Sequence, residues 1–441
     1  MRKMSVLILF AAMTATTSLS QETLSLTVEK AIQLGLENSK VVHASLMRVN
    51  YADAKEAEVN ASRLPSLKFG AGYTRLSDTP PFSVTLPQQL GANTFVLAPS
   101  LVNNYALKAT VEQALFTGFR LSAASDVAEY NSLATEQDHV RVKSDLVYNV
   151  RASYWLLFKA MEIKKVNDEN VEQMKSHLKD VQSMLDQGMA TTNDVLKVQV
   201  QLSDAQLRQI EANNNVQLAT IGLNNTLGIP LQTKVAIDTD IKHAAEINVS
   251  DLSSLIAKAN EHRPELKASE YRVKASEAGI TAAKSGWWPQ IYLAANYNYN
   301  RPNQRIQPTQ DNFKDTWDVT LGVSLDVWNW GKTLHQSDQA SAQYEEAKDG
   351  FSQAKDAITL ELTQVYLNLN QAKERIGVAS QGVKQAEESY RVTNTRFKEG
   401  LAQNSDLLDA EVALLQARTN STQALVDYEL AEARLQKAIG E

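Results

Sequence analysis

The 441-residue chain carries 44 Lys and Arg against 51 Asp and Glu, a formal net charge of −7, and no cysteine. This acidic balance argues against a nucleic-acid partner. The lack of cysteine excludes a disulfide scaffold, so a packed core has to supply the stability.

Residues 1–20 read as a secretory signal peptide. Met1-Arg2-Lys3 is a basic start, Ser5 to Met13 a short apolar run, and Ser18-Leu19-Ser20 offers small residues for cleavage before Gln21. The run is too short and wrongly flanked for a membrane anchor, and no later stretch reaches the roughly 18 apolar residues of a spanning helix. The chain is therefore expected to be exported.

A first repeat over 21–228 follows. Leu67, Phe69, Ala71 and Tyr73 alternate with Lys68, Gly70, Gly72 and Thr74. Tyr105, Leu107, Ala109 and Val111 alternate with Lys108, Thr110 and Glu112. Period-two patterning predicts strands over about 64–76 and 104–116, each with one apolar and one polar face. Ser77 to Val102, with Pro80, Pro81, Pro87 and Pro99, reads as an exposed loop. No proline lies between Arg120 and Gly188, and a helix over about 119–187 would be roughly 100 Å long. Its seam runs through Val140, Val147, Tyr154 and Met161, then Val171, Met174, Leu178, Val181 and Leu185. Gly188 is placed to end that helix in a left-handed conformation, and Thr191 with Asp194 to open the returning helix as a capping box. Residues 229–250 read as a polar linker.

The chain then repeats itself over 251–441. Gly188-Met189-Ala190 with Asp194 returns as Gly400-Leu401-Ala402 with Asp406, an offset of 212 that also carries Tyr154 onto Tyr366, Leu223 onto Leu435 and Gly228 onto Gly440. Strands are predicted over about 289–300 and 316–328, the second from the alternation of Trp317, Val319, Leu321, Val323, Leu325 and Val327. Arg301 to Asp315 joins them as a loop. The helix over about 331–399 has a heptad seam: Phe351, Ile358, Val365, Ala372, Ala379 and Ala386 form one series, and Leu362, Leu369, Ile376, Val383, Tyr390 and Phe397 the other. Alanine at many seam positions lets neighbouring helices approach closely.

Each strand is about 10 residues long, the length of a tilted strand that crosses a bilayer. Trp287, Trp288, Trp328 and Trp330 sit at strand ends, where an interfacial girdle belongs. A half-buried sheet of a soluble protein is the alternative. Four strands cannot close a barrel, and an open sheet edge cannot stand in lipid, so membrane strands here require several chains to share one barrel.

No catalytic constellation is visible. His43, His139, His177, His243, His262 and His335 are widely spaced, without a zinc motif. Gly331-Lys332-Thr333 imitates the end of a phosphate loop, but Asp326 occupies the place of its first glycine. Neither a cofactor, a metal nor an enzymatic activity is expected, and any energy for transport has to come from another protein.

These features resemble the TolC-type outer-membrane efflux family over essentially the whole mature chain. Leu26-Thr27-Val28-Glu29-Lys30-Ala31 with Glu37-Asn38 is similar to its first helix. Arg263-Pro264-Glu265-Leu266 is similar to the start of its second repeat, Trp288-Pro289-Gln290-Ile291 to its entry into the barrel, and Gly400-Leu401-Ala402 with Asp406 and Asp409 to its hairpin tip. The resemblance implies a mixed fold: a twelve-stranded trimeric membrane β-barrel, four strands per chain, on a coiled-coil α-barrel tunnel in the periplasm. It implies an outer-membrane exit duct for a tripartite efflux or type I secretion system, partnered by a periplasmic adaptor and an inner-membrane pump or ABC transporter. It also implies that Asp406 and Asp409, with Asp194, form the channel constriction, and that Gly188, Met189, Ala190, Gly400, Leu401 and Ala402 contact the adaptor. The family's arginine two residues past the tip glycine is replaced here by Ala402, so the tips have to be held differently. A soluble periplasmic coiled-coil scaffold is the alternative function.

Overall fold

The computed structural model describes residues 24–98, 100–238 and 251–441; the signal-peptide reading and the end of the linker lie outside them. The strands are β1 (Leu24–Leu26), β2 (Ser66–Arg75), β3 (Phe82–Thr85), β4 (Thr94–Ala98), β5 (Asn103–Thr117), β6 (Val235–Ile237), β7 (Gln290–Arg301) and β8 (Lys314–Ser324). The helices are α1 (Val28–Asn38), α2 (Lys40–Ala61), α3 (Arg120–Asp186), α4 (Thr192–Leu227), α5 (Leu252–His262), α6 (Pro264–Ala283), α7 (Lys332–Lys398) and α8 (Asn404–Ile439). Among the described residues no helix is long and apolar enough to cross a membrane.

Two compact units divide the chain. One combines Met1–Val42, Lys143–Lys258 and Glu361–Glu441, the other His43–Val142 and Ala259–Leu360. Each therefore draws on both sequence repeats.

In the second unit β2, β5, β7 and β8 form one antiparallel sheet in that order, so the hairpins of the two repeats join through β5 and β7. Directly opposed residues share a face. Leu67, Phe69, Ala71 and Tyr73 oppose Val111, Ala109, Leu107 and Tyr105, which continue onto Ala295, Tyr297 and Tyr299 and then onto Val319 and Trp317. The alternation read from each strand thus merges into one apolar face. On the other face Thr110 donates to Asn296 Oδ1 at 3.0 Å, and Asn296 Nδ2 donates to Asp318 at 2.8 Å, a polar ladder across three strands. An irregularity between Ala114 and Phe116 leaves Leu115 out of register near the helical end.

The two strand-to-helix junctions solve one geometric problem in mirrored order. Gly118 and Phe119 have φ of 60° and 67°, and Trp330 and Gly331, 212 positions later, have φ of 56° and 77°. Two consecutive left-handed residues turn the chain in both repeats, with glycine first in one and second in the other. A side chain at Gly118 would also meet the Ser285 carbonyl oxygen at 2.5 Å, so this glycine is required twice over.

Several sequence expectations need correction. β8 ends at Ser324, short of Leu325 and Val327, because its last partner is Gln290, where β7 begins. The stretch read as the 77–102 loop contains the β3–β4 hairpin. The linker contains β6, which pairs in parallel with β1 through Leu24–Val235 and Leu26–Ile237. Val140 is 40% exposed, and its seam place is taken by buried His139, whose Nδ1 lies 2.7 Å from Ser45 Oγ.

The first unit is a helical core. Tyr154 is fully buried and donates to the Leu26 carbonyl at 3.0 Å, beneath Val150, Leu157, Leu223, Leu227 and Val426. The α7 seam is buried at Leu362, Val365, Leu369, Ala372 and Phe397 and half-buried at Ile376, Ala379, Val383, Ala386 and Tyr390. The small seam residues do not all close the gap: Ala379, Gly382 and Ala386 of α7 face Ala413, Ala417 and Ala424 of α8 across a groove of about 910 Å³.

Candidate functional site

The two helical hairpin tips, α3–α4 and α7–α8, are built alike. Gly188 (φ 73°) and Gly400 (φ 72°) take the left-handed conformation. Met189 N–H donates to the Met184 carbonyl at 2.8 Å, and Leu401 N–H to the Arg396 carbonyl at 2.7 Å, the backbone closure of a helix ended by a left-handed glycine. Beneath the turns Val181, Val195, Val198, Phe397 and Leu407 form a buried core, with Ala190 and Ala402 packed against it. The six predicted tip residues therefore divide. Gly188, Met189, Gly400 and Leu401 are exposed, while the two alanines are half-buried supports. Asn404 is buried and donates to the Asp194 carbonyl at 3.3 Å, joining one tip to the other.

Asp194 completes the expected capping box. Its Oδ2 accepts from the Thr191 N–H at 3.0 Å and the Thr191 hydroxyl at 2.7 Å, and Thr191 Oγ1 accepts from the Asp194 N–H at 3.2 Å. The Thr191 hydroxyl, helped by the Thr191 N–H and more weakly by Lys197, holds this carboxyl below the usual aspartate range. A lowered pKa contributes stability that is complete above the unfolded value and lost as pH falls through the folded one. Thr191→Ala is expected to cost about 1 kcal/mol at neutral pH. That deficit should narrow on acidification, as followed by thermal unfolding in detergent at a series of pH values.

Asp406 occupies the equivalent position in the second tip and accepts from the Gln403 N–H at 3.2 Å. Asp409 lies one turn further along α8, exposed like Asp406, and its carboxylate makes no hydrogen bond or ion pair among the described residues. The repeat offset places Lys197 where the second copy has Asp409. The first tip thus carries a cation one turn beyond its aspartate, and the second presents two carboxylates on one face of α8.

A buried cluster behind the tips escaped the sequence reading. His177 Nδ1 lies 3.0 Å from Glu411 Oε2, and Gln173 donates to Glu411 Oε1 at 3.2 Å. His177 and Glu411 are 4% and 2% exposed, and the His177 ring meets Phe397 edge-on at 5.4 Å. The available signal was position: Glu411 falls among the inward-facing Leu407, Ala410 and Leu414, where a lone carboxylate needs a partner. Above it Arg418 reaches Glu169 at 3.0 Å and Glu387 at 3.1 Å, linking α8 to α3 and α7. Among the described residues no group of three His, Asp or Glu is placed to hold a metal ion.

Residues 31–229 and 255–441 match the family model described as outer membrane efflux protein. The chain belongs to that family. The matched stretches together take in both repeats, with the described hairpins and tips. Among curated relatives it is 22% identical over 316 residues to the outer membrane protein TolC of Vibrio cholerae, covering 71% of this chain and 72% of that one. It is 21% identical to the solvent efflux pump outer membrane protein SrpC of Pseudomonas putida, covering 93% and 84%. Its fold is that of the VceC outer membrane protein of Vibrio cholerae, with a TM-score of 0.77 at 17% identity, covering 94% of this chain and 96% of that one. It is equally that of the CmeC outer membrane channel of Campylobacter jejuni, with a TM-score of 0.79 at 15% identity, covering 94% and 85%. The chain is an outer-membrane efflux protein, with the long-helix and strand-pair repeat of such channels.

Proposed function

We propose that three copies of the chain close into a passive exit duct that carries substrate from a periplasmic adaptor and an inner-membrane pump to the outside. The observation that carries this reading is the open sheet. β2 and β8 are free edges of an apolar-faced, four-stranded antiparallel sheet. Lipid tolerates no unpaired edge, so β2 of one copy has to pair with β8 of the next, and three chains give twelve strands. The helices support the same closure. α4 leaves Leu196, Val200, Leu207, Ile210 and Leu218 more than half exposed, and α7 does so with Leu360, Leu367 and Val378. These are second apolar stripes on helices that already bury one, as a wall shared between copies needs. Asp406 and Asp409 with Asp194 line the periplasmic constriction in this reading, and Met189 and Leu401 lead the surface that meets the adaptor.

The test is assembly and conductance: purified protein should migrate as a heat-modifiable trimer extracted only by detergent and form discrete channels in planar bilayers. A monomer released without detergent would establish the scaffold alternative instead. The facing of β8 gives a sharper check. Leu321→Arg places a charge on the lipid side and is expected to cost roughly 2–4 kcal/mol, whereas Thr320→Arg points into the lumen and costs little. Trimer yield from outer membranes should fall for the first variant and hold for the second; equal yields reverse the assignment of faces.

A further inference from the structure

The loop between β2 and β5 carries a feature that the duct does not use. From Thr79 to Leu107 the sequence contains no Asp, Glu, Lys or Arg, whereas the loop between β7 and β8 carries Arg305 and Asp311. Within the charge-free stretch β3 and β4 form a hairpin with two unlike faces. Val84 opposes Phe95, and Phe82 lies on the same side by strand period. Ser83, Thr85 and Thr94 lie on the other side together with Val96, which opposes Ser83 and is 59% exposed; there the Thr85 and Thr94 hydroxyls are 2.9 Å apart. Phe82, Val84 and Phe95 are 63%, 41% and 51% exposed. A two-stranded hairpin is at best marginally stable in water on its own, so this apolar face calls for a cover.

Its surroundings indicate which. The Leu76 N–H donates to the Val102 carbonyl at 2.7 Å, tying the base of the hairpin segment to the ends of β2 and β5. Just before that tie stand Tyr73 and Tyr105, with ring centroids 5.0 Å apart; Phe313 lies 5.9 Å from Tyr105 and stacks on Tyr299 at 5.0 Å. Aromatic rings gathered at the end of an apolar sheet face mark the boundary between lipid and water. Arg75 and Asp78 stand at the base of the loop, where Asp78 accepts from the Ser100 hydroxyl at 2.6 Å. From Thr79 onward the hairpin segment carries no charge, which matches the layer in which charges are costly. We propose that β3–β4 is an interfacial element, laying its Phe82, Val84 and Phe95 face into the outer leaflet beside the barrel rim. This rests on the lipid-facing assignment of the main sheet.

The absence of native cysteine makes single-site labelling clean. Val84→Cys, Phe95→Cys, Ser83→Cys, Thr85→Cys and Leu321→Cys, each spin-labelled in the full-length protein, are reconstituted into phosphatidylethanolamine and phosphatidylglycerol vesicles, and collision with oxygen is compared with collision with a water-soluble nickel chelate. Labels at 84 and 95 should show an oxygen-to-nickel ratio about tenfold above those at 83 and 85, as expected for a face sunk about 5–10 Å into the interface. High nickel access at all four hairpin sites overturns the proposal by placing the hairpin in water. Labels at 84 and 95 shielded from both reagents and broadened by spin–spin coupling overturn it in favour of hairpins packed against one another between copies. The Leu321→Cys label separates these failures from a wrong sheet assignment: lipid access at 321 confines the failure to the hairpin, and water access there removes the barrel reading and this inference together.

Discussion

In planar bilayers the Asp406→Asn/Asp409→Asn double variant is expected to lose the cation selectivity of the parent channel, together with block by multivalent cations. The two residues lie i,i+3 on one exposed face of α8, so in the proposed trimer they would stack as two rings of carboxylates. Rings of this kind attract cations and reject anions. The first repeat cannot supply the same field, because Lys197 stands where Asp409 stands in the second. Asparagine removes the charge, nearly keeps the shape and retains a side-chain oxygen that can accept from the Gln403 N–H, as an amide does at this third helical position, so the local backbone around Gln403 and Asp406 should survive. The competing account, that Asp406 only caps α8 through the Gln403 N–H, predicts unchanged conductance and selectivity. The reversal potential in a salt gradient decides between them, with trimer integrity on gels as the control. Unaltered selectivity would remove the gate assignment and leave the cap.

Ala379→Pro is expected to abolish trimer assembly and membrane insertion. Ala379 lies in the middle of α7, a helix continuous from Lys332 to Lys398, and it is half-buried on the seam that faces α8. Proline there removes one backbone hydrogen bond and drives its ring against the carbonyl of Arg375, costing about 3 kcal/mol or more. The groove beside Ala379 offers space for the ring but nothing that restores the lost bond. The kink would also displace the far end of a long helix, so Phe397 and the tip core of Val181, Val195, Val198 and Leu407 would lose their register. Yield of heat-modifiable trimer from outer membranes measures the outcome. Normal yield with parental conductance would show that α7 need not be continuous. Ala379→Gly, which keeps the N–H at a cost of about 1 kcal/mol, should assemble and so separates the backbone effect from loss of a methyl group.

Some of this molecule was legible before any coordinates. The strand and helix periods, the apolar side of each strand, the left-handed glycines at 188 and 400 and the Thr191–Asp194 box are local properties, set by residues within a few positions of one another. The 212-residue offset then carried each local feature from one repeat to the other, down to Gly228 and Gly440, both left-handed helix ends. Only the tertiary structure decided which distant segments meet. β1 and β6 pair across more than 200 residues, and three-residue strands are too short to announce themselves by period. β8 stops at Ser324 although its alternation runs on, because pairing ends where the partner strand ends. His139 rather than Val140 faces inward because Ser45, on another helix, offers it a hydrogen bond. Glu411 could be seen at an inward position, but His177, 234 residues away, is identified as its partner only by the packing of α3 against α8. Periodicity states which way a side chain points; which group stands opposite depends on the closure of the chain between them.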